Sequence, residues 1–262
     1  METRIRALAV LAEPDPARKA AAATQLRADF LAGAQLDAEA RLTPAQPLPG
    51  RPARPLLKEA LQVPSRSPFT VEGRAALVHA LCHIEFNAIN LGLDAVWRFP
   101  GMPREFYADW LQVAAEEALH FSLLHEHLQT LGHHYGDFDA HDGLWTMAER
   151  TRDDVLARMA LVPRTLEARG LDATPPLQAK FRKAGDERAV AILDIILRDE
   201  IGHVEIGNRW YHHLCRERGL DPIAGYPALV ERYQAPRLRP PFNFEARSAA
   251  GFSEAELDYL RS

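Results

Sequence analysis

Four long stretches of the chain keep their apolar residues at the 3.6-residue period of an α-helix, and a carboxylate breaks each apolar line. Along 69–99, Val78, Leu81, Ile89 and Val96 fall in phase, and Glu85 interrupts them. Along 103–131, Trp110, Val113, Phe121, Leu124 and Leu128 share their stripe with Glu117 and His120. A third stretch starts near Leu144 and runs at least to Arg169, with Val155, Met159, Val162 and Leu166 aligned and Glu167 in phase with Leu156 and Pro163. The fourth, about 187–218, aligns Ile192, Ile196, Trp210 and Leu214 with Glu200 and His203. A buried carboxylate without a partner costs several kcal/mol, so acids on such lines are paired or hold a metal.

Alternating β-branched segments are almost absent, so the expected class is all-α, most simply a four-helix bundle with extra N- and C-terminal segments. "GLDATPP", 170–176, reads as a break, after which "LQAKFRKAGD" is helical again. The third helix is therefore expected to be interrupted there, beside the site. Seven prolines from Pro44 to Pro68 make an extended connector, and a helix capped near Asp15 and stopped near Gly33 precedes it. In the tail, "GFSEAELDYL" carries a capping box at Ser253 and Glu256 with Phe252 and Leu257 at the staple positions, which predicts a short last helix packed on the bundle. The expected segments are 1–68, 69–220 and 221–262.

Two cysteines make a disulfide framework or zinc ribbon unexpected. A formal charge of -5 and a pI near 6.1 argue against a nucleic-acid binder. The first 23 residues lack the apolar run of a signal peptide and no 18-residue apolar stretch occurs, so a cytoplasmic protein without a membrane span is expected.

Two of the interruptions have one form, Glu117-Ala-Leu-His120 and Glu200-Ile-Gly-His203. A spacing of i,i+3 points both side chains the same way, about one turn apart. Glu85 stands 14 residues before Phe99 and Glu117 14 residues after Pro103, so in an antiparallel hairpin both lie about 21 Å from the turn and level with each other. Glu85 to Glu117 spans 32 residues, and Glu167 to Glu200 spans 33. Glu149, Asp153 and Asp154 compete with Glu167 as the acid of the third helix. His83 is read as lying beside the site or on the surface, and His125, His127, His212, His213 and Glu116 as solvated. "HHYGDFDAHD" is read as a polar crossover loop. Asp94, Asp194 and Asp199 are alternatives for orienting a ligand histidine.

A Glu from each of two helices plus Glu-x-x-His from each of two others resembles the ferritin-like di-iron and di-manganese carboxylate proteins. More closely, "HIEFNAINLGLDAVWRF", "DWLQVAAEEALHF", "RDEIGHVEIGNRW" and "PPFNFEARSAAGF" resemble the branch known as domain-of-unknown-function family 455, over about residues 65 to 255. The resemblance implies a ferritin-like bundle and six ligands for two metal ions: Glu85, Glu117, His120, Glu167, Glu200 and His203. It places Glu117 and Glu200 as bridges, Glu85 and Glu167 as terminal ligands, and one histidine on each metal. Four carboxylates and two imidazoles suit iron first and manganese second, with no catalytic residue beyond the ligands. Gly92 and Gly207, each seven residues after an acid, would leave room for a substrate, with Val113, Phe121, Leu124 and Trp210 as walls. The expected function is an O₂- or peroxide-dependent oxygenase or oxidase of an organic substrate. The alternatives are an iron-binding or storage protein with ferroxidase activity, a tRNA-nucleoside hydroxylase, and a di-manganese catalase. Expected partners are the small molecule, O₂ or peroxide, an electron-donor protein and, in a homodimer, a second copy.

Overall fold

The computed structural model describes residues 2–64 and 66–261. The protein is all-α: the described residues hold no strand, only an isolated bridge between Leu57 and Ala140. The chain divides into two compact units, Met1–Gly143 and Leu144–Ser262, a division that falls inside the 69–220 segment.

The first unit is built on a hairpin of α3 (Val71–Arg98) and α4 (Arg104–Thr130). Thr70 caps α3 by accepting from Gly73 N at 3.0 Å, and Pro100 stops it. Gly101, at φ +77, turns the chain into α4. By length and composition, α3 is the one helix among the described residues that could cross a membrane, yet 78% of its most apolar window is buried. In front of the hairpin come α1 (Thr3–Leu11), which packs on α3, and α2 (Pro16–Leu31), which packs on α4. Asp15 caps α2 by accepting from Arg18 N, and Gly33 follows its end at φ +95.

The short apolar run before Asp15 gave no sign of α1, whose buried residues include an arginine. Arg4 donates to Val96 O at 3.1 Å and Trp97 O at 2.8 Å, filling carbonyls that the end of α3 leaves without partners. It also reaches Asp37 O, Ala38 O and Ala40 O. The Pro-rich connector runs back over the unit through an Arg51–Asp142 ion pair and backbone bonds from Lys58 N to Ala140 O and Ala140 N to Leu56 O.

Lys19 of α2 is fully buried, donating to Gly50 O at 2.7 Å and Asn90 Oδ1 at 2.5 Å. Burial, reinforced by Arg51 and opposed by Glu13, brings its pKa down to about 7. The unfolded chain therefore holds the extra proton between about pH 7 and the ordinary 10.5. The destabilising effect is full below pH 7 and fades as pH rises towards 10.5. Urea titrations should show stability rising by up to about 1.4 kcal/mol per pH unit between pH 7 and 9. Lys19→Met should flatten that slope; an unchanged slope would exclude Lys19 as its source.

The second unit contains α5 (Gly143–Arg150), α6 (Val155–Leu161), a π-helical turn (Val162–Glu167), α7 (Ala168–Lys183) and the long α8 (Glu187–Glu217). Its tail adds α9 (Tyr226–Arg232), α10 (Phe244–Ala249) and α11 (Glu254–Arg261). The capping box forms: Ser253 N and Oγ each donate to Glu256 Oε2 at 2.8 Å. Phe252 and Leu257 are buried against Ala168, Leu171, Val204 and Ala250.

The expected break at 170–176 is not there. α7 runs straight through Pro175 and Pro176. A proline at 175 has no N–H to give Leu171 O, four residues back, and Asn243 Nδ2 donates to that carbonyl instead at 3.2 Å. The interruptions come earlier, at the turn 151–154 between α5 and α6 and at the π-turn, where Pro163 removes a backbone donor at the start of the irregular segment. Thr165 Oγ1 donates to Ala160 O across this turn at 2.7 Å.

Candidate metal centre

In the first unit the antiparallel hairpin sets Glu85 opposite Glu117 and His120. One ligand atom from each of the three residues lies within 4.8 Å of the others. His120 Nδ1 is 3.2 Å from Glu117 Oε2 and 3.6 Å from Glu85 Oε2, and all three side chains are at least 96% buried. Glu85 Oε2 has no hydrogen-bond partner among the described residues. Burial, and then the charge of Glu117, push the Glu85 carboxyl well above the usual carboxylate range. Burial works against a charge on His120, but the two acids outweigh it and push its pKa up to about 11. The set thus holds protons where a cation would relieve the same repulsion. Two carboxylates and an imidazole, dry and close together, fit a divalent ion of the iron or manganese kind.

The second unit carries the other Glu-x-x-His. His203 Nδ1 stands 3.9 Å from Glu200 Oε2 on α8, both residues buried. Glu167 is buried at the last position of the π-turn. Its competitors have other work or face water. Asp154 caps α6 through Leu156 N and pairs with Arg218, Asp153 is exposed, and Glu149 approaches Arg152.

A family model described as "Protein of unknown function (DUF455)" matches residues 12–258. The chain belongs to the DUF455 family. A relative in Haemophilus influenzae, described as an uncharacterized protein, is 54% identical over 226 residues, which is 84% of this chain and 78% of that protein. No solved structure matches.

In this DUF455 chain the two glycines expected to open a pocket serve close packing instead. A Cβ at Gly92 would stand 3.0 Å from Ala114 Cβ and backbone N, so its absence brings α3 against α4. A Cβ at Gly207 would meet Pro163 Cβ at 2.6 Å, so Gly207 lets the π-turn approach α8. Val113, Phe121, Leu124 and Trp210 are buried.

His83 is buried, hydrogen-bonding Tyr135 Oη at 2.8 Å and His141 O at 3.1 Å, and Gly136 N donates to His79 Nε2 at 2.9 Å. Burial brings His79 down to about 4 and His83 down to about 3, so both are neutral anchors for the loop 132–143. Period alone gave no sign of this role, because the loop side of the contact is not helical. His127, expected in water, is buried at the end of α4, where Thr130 Oγ1 lies 3.2 Å from its Nδ1. Asp94 receives Arg98 and Trp97 of its own helix, Asp194 accepts from Gln178, and Asp199 pairs with Arg198.

Proposed function

We propose that this protein is a ferritin-like di-metal carboxylate protein. In this reading Glu85, Glu117 and His120 of the first unit and Glu167, Glu200 and His203 of the second hold two metal ions, iron first or manganese. The chain is then a redox enzyme that uses O₂ or peroxide to oxidise an organic substrate. The observation that carries the reading is the dry cluster of Glu85, Glu117 and His120 within 4.8 Å, two carboxylates and an imidazole of the kind that hold a divalent ion. The buried Glu200–His203 pair, with the same i,i+3 form, supports it. The carboxylates of Glu85, Glu117, Glu167 and Glu200 would hold the ions, and His120 and His203 would each take one.

Iron or manganese held there supplies one-electron chemistry towards O₂ or peroxide. The side chains do the rest. Four carboxylates balance two dications, so the loaded centre is neutral and tolerates burial. Val113, Phe121 and Leu124, buried on α4 with Glu117 and His120, would help keep bulk water out.

Elemental analysis of protein made in iron- and manganese-supplemented medium tests the metal, with two ions per chain expected. Anomalous scattering at the two absorption edges tests their place. Metal-free protein under both conditions would overturn the reading. A closed many-chain particle that takes up iron mineral would replace enzyme with storage.

A further inference from the structure

The second unit contains a buried ionic assembly that the metal centre does not use. Arg164 lies inside the π-turn, three residues before Glu167. Its Nη2 donates to Glu256 Oε1 of α11 at 2.6 Å, and both side chains are at least 94% buried. The guanidinium also lies over the rings of Tyr211, Phe252 and Tyr226, at 4.7, 4.9 and 5.6 Å. Glu256 is held by more than Arg164: His212 Nε2 is 2.9 Å from Oε1, and Ser253 N and Oγ occupy Oε2. Burial opposes the Glu256 charge, but His212, Arg164 and Ser253 outweigh it and bring its pKa to about 2.

On the other side of Glu167, the tail engages the chain again. Arg247 of α10 is fully buried and donates to Ala168 O at 3.3 Å, the carbonyl next to Glu167. The same guanidinium grips Asp172 with bonds of 3.0 and 2.7 Å. The residue expected to bind metal thus sits between two charged anchors, both contributed by the last 20 residues. A π-turn has poorer intrinsic geometry than an α-helix and persists only where its surroundings hold it.

We propose that the C-terminal segment is a positioning clamp: Glu256 on Arg164 and Arg247 on Ala168 fix the π-turn that presents Glu167, and so set how tightly the second unit takes its metal ion. This rests on the reading of Glu167 as a ligand. Arg164 and Glu256 are positioning residues that act through Glu167. They correspond to the outer hydrogen bonds that orient ligands elsewhere, whose loss typically weakens metal binding about 10- to 100-fold.

The test titrates the metal-free full chain with Mn(II), following the free ion by its EPR signal, for the parent and for Glu256→Gln. Amide exchange is measured over 161–172 in both. The parent is expected to take two ions. Glu256→Gln is expected to keep one at parental affinity and bind the other about 10- to 100-fold more weakly, with faster exchange confined to the π-turn. A purely structural role would lower stability in urea and leave both affinities alone. If Glu256→Gln does not fold, Arg164→Lys, which keeps the charge and loses the fork, is read by the same measurements. A parent that takes neither Mn(II) nor, in an anaerobic titration, Fe(II) overturns both the di-metal reading and the clamp. A parent that takes two ions, with a variant that matches it, overturns the clamp alone.

Discussion

Glu85→Gln makes the metal-free protein more stable while weakening Mn(II) binding by about 100-fold or more. The two effects have one cause. Among the described residues Glu85 Oε2 has no donor within hydrogen-bond distance, His120 Nδ1 standing 3.6 Å away, and burial and the neighbouring Glu117 both oppose its charge. An amide of the same shape removes the repulsion and keeps the packing. It leaves the Glu117–His120 contact at 3.2 Å in place. Each pKa unit by which Glu85 is raised corresponds to ~1.4 kcal/mol of lost preference for its charged form. A gain of roughly 1 kcal/mol in urea is therefore expected, because the metal-free state already reduces the repulsion by holding protons. A site built only for stability behaves the other way, since deleting one partner of a buried pair destabilises. A Glu85→Gln variant that is less stable without metal, or that binds Mn(II) like the parent, would refute the assignment.

The second large effect concerns the first turn of the chain. Arg4→Met should cost roughly 3–5 kcal/mol in urea unfolding, because it strands several buried acceptors at about 1–3 kcal/mol each, less whatever relaxation recovers. Val96 O and Trp97 O close α3, and Asp37 O, Ala38 O and Ala40 O fix the turn after α2. A domain stability of about 5–15 kcal/mol leaves little after such a loss. Arg4→Lys keeps a charge but not the fork, and should recover only part of it. A cost near 1 kcal/mol or less for Arg4→Met would mean that water replaces the guanidinium and that the N-terminal helix is an accessory.

The difference between these two residues shows what a sequence carries. Glu85 was visible because it interrupts a regular apolar line, and a hairpin with a known turn fixes which residues face it. The long helices and their caps at Asp15 and Ser253 were visible for the same local reason. Arg4 was not, because its acceptors are carbonyls more than 30 positions away, and backbone atoms leave no mark in the pattern of side chains. The misplaced break has a similar origin. Pro175 and Pro176 are the strongest local breakers in the region, but the acceptor left by Pro175 is met by Asn243, 72 residues from Leu171. Pro163, a lone proline in phase with Leu156, lies at the start of the irregular turn. Gly92 and Gly207 were read for the space they leave, which neighbouring atoms occupy.

The π-turn also constrains the length of the gene. A π-turn is an α-helix carrying one residue too many. Deleting any one residue from 162–166 would let that stretch relax into regular α-helix, a local improvement. The same deletion would rotate everything after it by about 100° relative to what precedes it. Glu167, Asp172 and the rest of α7 would then present a different side. Residue number matters here as well as residue type, and loss of one codon in frame is expected to weaken Mn(II) binding as much as Glu167→Gln does.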